Sequence, residues 1–199
     1  MFIQVIQGIC HDADALRRQT EMWREEIAPG ATGWLGGTYG VTSDNRFIGV
    51  VRFESKEAAA RNSDRPEQGA WWSITEKAFD GEVTFHDCDE VALFLDGGSD
   101  EAGFVQVIQG RVSDPERFRA FMHQPMDSLR DARPEVIGGS IALSADGSFT
   151  QTVAFRSEAA AREGEAKPMP DEMRQAWEEQ MAMMQDVTYF DLPHPWFAS

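Results

Sequence analysis

The seven residues FIQVIQG at Phe2–Gly8 return as FVQVIQG at Phe104–Gly110, an offset of 102 residues, so the chain must fold as two copies of one unit. Further pairs keep the register: Asp12 with Asp114, Gly36-Gly37 with Gly138-Gly139, Phe53 with Phe155, and EAAAR at 57–61 with EAAAR at 158–162. The offset is 101 at EAAAR and 104 where VTF at 83–85 meets VTY at 187–189, which locates small loop-length changes. A chain of 199 residues is thereby divided into a first repeat over 1–88, a joining segment over 89–103 whose apolar Val91–Leu95 packs as an extra strand or along a helix, and a second repeat over 104–199. A unit that small buries a modest fraction of its surface alone and gains by pairing with its twin.

Thirty-four acidic against eighteen basic residues give a net charge of −16, which repels phosphate backbones and anionic lipid surfaces. Nucleic-acid and membrane partners are not expected. No apolar run reaches the roughly eighteen residues of a membrane span, and the chain opens on a strand pattern instead of a signal segment, so a cytoplasmic location is expected. Cys10 and Cys88 are too few for a disulfide framework and have no zinc-binding spacing; both are read as free thiols.

Within one repeat, the β-branched FIQVIQG reads as a strand. Asp12 then precedes Leu16, Thr20, Trp23 and Ile27 at helical spacing. In the second copy Ser113-Asp114-Pro115-Glu116 reads as a capping box with Ser113 as the cap, and Pro125 should kink or shorten the helix. Alternating runs over 34–42 and 46–54, and over 136–144 and 148–156, flank turn residues and read as hairpins. Ser55 and Ser157 cap the Ala-rich EAAAR helices, and further helices follow Pro66 and Pro170, the latter with Met173, Trp177, Met181 and Met184 as its apolar stripe. VTFHD and VTYFD close each copy as a strand.

Strand, helix, strand, strand, helix, strand is the ferredoxin-like split βαβ order, an α+β class with helices on one face of an antiparallel sheet. That order, with the FxSxEAAAR-like junction at Phe53–Arg61 and the shorter Phe155–Arg162, resembles the dimeric α/β-barrel superfamily, in particular proteins like the antibiotic-biosynthesis monooxygenases. The resemblance implies two tandem ferredoxin-like repeats forming an intrachain pseudo-dimeric barrel, with edges left over for a further homo-oligomer.

Strand alternation then sorts candidate site residues. Phe47, Val51 and Phe53, with Phe149, Val153 and Phe155, are assigned to the helices, and Ile3 and Val5 with them. The opposite, more polar face takes Gln4, Gln106, Thr38, Ser140, Arg52, Thr84, Thr188 and His86. His86 is a candidate base and Arg52 a candidate partner for an anion or enolate. Gln4, Gln106, Thr38, Ser140 and Thr84 are candidate ligand contacts, and Trp72 of Trp71-Trp72 a candidate wall; the structural alternatives are an inter-sheet hydrogen-bond network and ordinary helix packing. No metal ligand set or bound cofactor is expected.

Two classes of function stand at this point. One, implied by the resemblance, is a cofactor-independent monooxygenase-like enzyme acting on a small aromatic or polyketide-like molecule. The other is a carrier, sensor or structural module without chemistry. Haem binding, which the resemblance also raises, lacks a histidine on the second helix of either repeat and finds Gln on the first strand.

Overall fold

The computed structural model describes residues 1–168 and 171–199, with backbone only at 127, 128, 172 and 173. Pro170 and the side chain of Met173 therefore lie outside the described residues. Two compact units result: unit 1 comprises Met1–Asp89 with His194–Ser199, and unit 2 comprises Glu90–Pro193.

Unit 1 builds an antiparallel sheet from β1 (Phe2–Cys10), β2 (Trp34–Val41), β3 (Arg46–Phe53) and β4 (Phe79–Cys88). Unit 2 repeats it with β5 (Glu90–Phe94), β6 (Phe104–Val112), β7 (Val136–Leu143), β8 (Ser148–Phe155) and β9 (Met184–Leu192). A last short strand, β10 (Trp196–Ala198), completes unit 1. The sheet orders are β10-β2-β3-β1-β4 and β5-β7-β8-β6-β9, the same ferredoxin-like order with one extra edge strand each. The repeat boundaries and the unit boundaries differ in one respect. The segment after the first repeat, β5, hydrogen-bonds to β7 of the second, and the tail after the second, β10, hydrogen-bonds to β2 of the first.

Local chemistry explains the elements. Asp12 accepts the Ala15 N–H at 2.8 Å to start α1 (Ala13–Met22), which continues as a wider π-type turn over Trp23–Ile27, and Leu16, Thr20, Trp23 and Ile27 are all buried as their spacing requires. In unit 2 the cap of α4 (Pro115–Met122) is Asp114, which accepts the Arg117 N–H at 3.1 Å. The Ser113 capping box is thus corrected: the Ser113 hydroxyl donates to the Met183 carbonyl instead, because Asp114 already occupies the cap position. Pro125 does end that helix, and α5 (Asp127–Ala132) begins afresh beyond it. Ser55 and Ser157 cap α2 (Lys56–Ser63) and α6 (Glu158–Ala166), while α3 (Pro66–Thr75) opens on its proline and α7 (Asp171–Met183) completes unit 2.

The paired glycines mark β-bulges. Register shifts fall between Trp34 and Gly36 and between Val136 and Gly138, with φ of 120° and 152° at Gly36 and Gly138. A Cβ on Gly36 would meet the Ala198 carbonyl at 2.9 Å, and one on Gly138 the Gly98 nitrogen at 2.7 Å, so the bulge makes room where the extra edge strand of each unit ends.

The helix-facing core of unit 1 holds Phe2, Tyr39, Phe47, Val51, Phe53, Phe79 and Trp196 with Leu16, Ala58 and Ala59 from the helices. Unit 2 places Phe104, Ile141, Phe149, Phe155, Phe118 and Ala161 correspondingly. Assignment of Phe47, Val51, Phe53, Phe149 and Phe155 to this face holds, but that of β1 reverses. Phe2 and Ile6 pack toward the helices with Gln4 between them, whereas Ile3 and Val5 point to the other face, which is equally withdrawn from water, Ile3, Val5 and Ile48 being 0% exposed. Cys10 and Cys88 form no disulfide and are buried at opposite ends of the β1–β4 pair, Cys88 opposite Ile3 and Cys10 opposite Phe79. No helix among the described residues is long and apolar enough to cross a membrane.

Trp196 stacks on Tyr39 at 6.5 Å and tilts against Phe47 at 6.2 Å, so the three-residue strand β10 is anchored chiefly by one side chain. Trp196→Ala is expected to lower stability by about 3–5 kcal/mol, as for other large core truncations, measured by urea denaturation with an unchanged m-value. A loss under about 1 kcal/mol would show that the tail is dispensable to unit 1.

Candidate functional site

Equivalent places in the two units, between the helix-facing side of the sheet and the helices, are filled differently. In unit 1 aromatic rings occupy the space. Trp23 meets Trp34 edge-on at 4.9 Å and Trp71 at 6.3 Å, and Trp72 packs against Phe79 and Phe85 at 6.3 and 5.2 Å. In unit 2 three of the corresponding residues are smaller. Pro125 stands in register with Trp23, Val136 with Trp34 and, counting back from the last strand, Ala176 with Trp71. A cavity of about 650 Å³ opens there.

Its walls come from α4, α5, α6, α7 and the strands β5 to β9 of unit 2 alone. Phe94, Phe121, Phe155, Trp177, Met126, Met181 and Met184 supply apolar surface, and the polar groups converge in three places. Gln106 on β6 donates from Nε2 to Asp191 Oδ1 on β9 at 2.8 Å, and Asp191 is ion-paired to Arg162 on α6. Gln180 on α7 donates to Gln151 on β8 at 3.1 Å. Arg133, at the end of α5, donates from Nε to Glu135, which precedes β7.

The two arginines differ in surroundings. Arg162 is 40% exposed and engages Asp191, Glu158 and Glu165, and the Asp191 hydrogen bond and charge hold its guanidinium even more firmly protonated than usual. Arg133 is 19% exposed and Glu135 8%. Burial alone would push the Glu135 carboxyl up, but the hydrogen bond and charge of Arg133, helped by a backbone hydrogen bond, outweigh it and leave the group below its ordinary range. Unit 1 keeps a weaker version of the first cluster, with Gln4 donating to Asp87 at 3.3 Å and Asp87 paired to Lys56 at 3.4 Å.

Of the residues singled out from the sequence, Gln106 lines this cavity, on the helix side of the sheet. Gln4 takes the matching place in unit 1, among the aromatic core. Both were assigned to the opposite face, and the reason for the reversal is that β1 and β6 are apolar at both parities, so alternation does not distinguish their sides. Thr38 and Ser140 are buried on that opposite face, Thr38 beside Val50 and Ser140 beside Thr152. Arg52 lies next to the Gly36 bulge, half-buried. Thr84 and His86 on β4 and Thr188 on β9 are exposed, because those strands are the outermost of their sheets. Trp72 packs in the unit 1 core, and Trp71 donates its indole N–H to the Gln19 carbonyl at 2.8 Å. None of the four histidines lines the cavity, and no group of metal-ligating side chains forms among the described residues. Sequence reading missed Arg133, Glu135, Gln151, Arg162, Gln180 and Asp191. The signal available for half of them was departure from the first copy, Ala31 for Arg133, Gly33 for Glu135 and Gly49 for Gln151.

No protein-family model and no curated protein sequence matches the chain. Solved structures do. A provisionally assigned monooxygenase from Lactobacillus acidophilus NCFM superposes with a TM-score of 0.72 at 15% identity, over 96% of this chain and 92% of its own. Another from Fusobacterium nucleatum gives 0.74 at 9% identity, over 100% and 92%. An anthrone oxidase-like protein gives 0.65 at 10% identity, over 100% and 93%. The chain has the dimeric α/β-barrel fold. Within that α/β-barrel class it is a fused tandem, both ferredoxin-like repeats being carried by one chain, and identities this low establish the fold alone.

The buried Arg133–Glu135 pair carries a pH signature. A carboxyl held below its unfolded value adds stability that is present above the ordinary carboxylate range and is lost as pH falls through the depressed value. Glu135→Gln is therefore expected to flatten the acid limb of a stability-against-pH curve measured by chemical denaturation; identical acid limbs in the two proteins would refute the assignment.

Proposed function

We propose that the unit 2 cavity binds a flat polycyclic aromatic molecule and that the protein oxidises it with molecular oxygen, without a bound cofactor, as a monooxygenase-like enzyme. The cavity itself is the observation that carries the reading. Its volume falls in the usual range for small-molecule sites, and its walls combine aromatic, methionine and aliphatic side chains with convergent polar groups. Methionines suit a flat polarizable ligand because their unbranched side chains repack around it.

An anthrone-type substrate fits these walls and the chemistry available to them. Its central methylene loses a proton to give a carbanion delocalised onto the ketone oxygen, oxygen adds at that carbon, and loss of water leaves the quinone. The balance is one anthrone and one dioxygen giving one anthraquinone and one water. The substrate supplies the electrons, so the protein has only to accept a proton, stabilise an oxyanion and restrict water. Asp191 and Glu165 are the carboxylates on the cavity wall that could take the proton, and Gln106, Gln151 and Gln180 the neutral amides that could orient the ring system. The fold shared with an anthrone oxidase-like protein supports the substrate class.

The second reading, a carrier or sensor, uses the same cavity without turnover, and the asymmetry between the units favours neither. Anthraquinone titration should raise the melting temperature and quench Trp177 fluorescence, ligand at a hundred times its Kd adding about 2.7 kcal/mol. Anthrone with oxygen should yield anthraquinone faster than buffer alone. Ala176→Trp, which restores the ring found in unit 1, should weaken binding more than about tenfold, and His86→Ala should change neither signal. Binding without accelerated oxidation would leave the carrier; no binding at all would remove the reading.

A further inference from the structure

We infer that Arg133, positioned by Glu135, is the residue of this cavity that receives the ligand's carbonyl or anionic oxygen. The inference rests on the proposed ligand site and adds to it a specificity: ligands with an oxygen that carries negative charge, a phenolate or an enolate, held at the α5 end of the cavity.

The argument begins with donors. A guanidinium offers five N–H groups in a fixed fork. Arg162 directs its terminal nitrogens at Asp191, Glu158 and Glu165, so three carboxylates surround one cation and a ligand oxyanion there would meet net negative charge. Arg133 is different. Its Nε is taken by Glu135, and among the described residues its terminal nitrogens have no hydrogen-bond partner, although the side chain lines the cavity and is mostly withdrawn from water. Charged donors on the cavity wall without a protein acceptor are available to a ligand oxygen, and a charge-assisted hydrogen bond there is stronger than a neutral one.

Room has been made for this pair. Gly164 on α6 is buried directly against it, and a Cβ there would collide with the Glu135 carboxylate and come within 2.9 Å of an Arg133 terminal nitrogen. The Glu135 backbone is fixed independently, since its carbonyl accepts the Arg156 N–H at 3.2 Å while the Val136 N–H binds the Arg133 carbonyl at 2.9 Å. The same two backbone bonds recur in unit 1, from Glu54 to Gly33 at 2.7 Å and from Trp34 to Ala31 at 3.0 Å. The positions are therefore structurally equivalent, yet the first copy holds Ala31, Gly33 and Ser63 where the second holds Arg133, Glu135 and Gly164. All three differ together, and only in the unit that has the cavity described above.

A bound ionisable dye reads the assignment directly. The probe is 2-hydroxyanthraquinone, whose visible absorbance shifts when its phenol ionises. The charged groups facing it are Arg133 from α5, Arg162 and Glu165 from α6, Asp191 from β9 and Glu135 behind Arg133, with the Tyr189 phenol also on the wall. With Arg133 in contact, the dye's apparent pKa on the protein should fall by about one unit or more below its value in water. Arg133→Met should abolish that fall while the dye still binds, and Arg133→Lys should keep part of it. Gly164→Ala, which displaces the pair without removing a charge, should reduce it.

Because Arg133→Met leaves Glu135 buried without its partner, the double variant Arg133→Met/Glu135→Gln is measured beside it and should show the same loss in a stably folded protein. An equal bound pKa in the wild type and both Arg133→Met proteins would overturn the assignment and leave the cavity reading intact. Failure of the dye to bind the wild type would overturn both.

Discussion

The inner strands of each sheet have both faces withdrawn from water, and that constraint governs what the rest of the chain can do. Strand side chains alternate between faces, so in each unit one set meets the helices and the other is buried on the far side. Space between sheet and helices must then be filled to the density of an organic crystal or left as a hole. Unit 1 fills it with tryptophan and phenylalanine rings at contact distances of 4.9 to 6.3 Å. Unit 2 carries smaller residues at three of the matching positions, Pro125, Val136 and Ala176, and keeps the hole.

The size of that hole decides its state. A sealed, dry void loses roughly 24 cal/mol per Å³, so one of about 650 Å³ would cost on the order of 15 kcal/mol, as much as the whole stability of a domain. The cavity must therefore communicate with solvent and hold water when no ligand is present. Trp177 on its wall is 49% exposed, and Arg162 and Asp191 are each 40% exposed, which places the opening near α7 and β9. Water there satisfies polar groups at little cost, and an aromatic ligand that displaces it gains the hydrophobic term over the apolar walls.

The fold was legible because its determinants are local. The duplicated FIQVIQG strand, Asp and Ser at helix starts, Asn45 and Gly147 with positive φ in the hairpin turns, and bulged glycine pairs all act within a few residues of themselves. The side of β1 was not legible, since Phe2 and Ile6 on one parity are as apolar as Ile3 and Val5 on the other, and a sheet buried on both faces has no polar side to read. The exchange of edge strands was hidden for a related reason: short apolar segments such as Val91–Phe94 and Trp196–Ala198 specify that they pair, while the partner is chosen by chain path. Half of the missed site residues were visible in principle. Arg133, Glu135 and Gln151 break the repeat at positions where the first copy has Ala31, Gly33 and Gly49, and each break puts a polar group where apolar or small residues suffice.

Sufficiency is what gives the Arg133–Glu135 pair its weight. A buried ion pair is commonly no more stabilising than apolar residues of similar volume, because desolvating two charges offsets their attraction. The first copy supplies the internal comparison: its chain makes the same turn, with the same two backbone hydrogen bonds, using alanine and glycine. Stability of the turn therefore does not require the charges. Their presence beside the cavity, with Gly164 cleared to admit them, is what the proposed ligand oxygen would account for, as a partner for the remaining guanidinium donors.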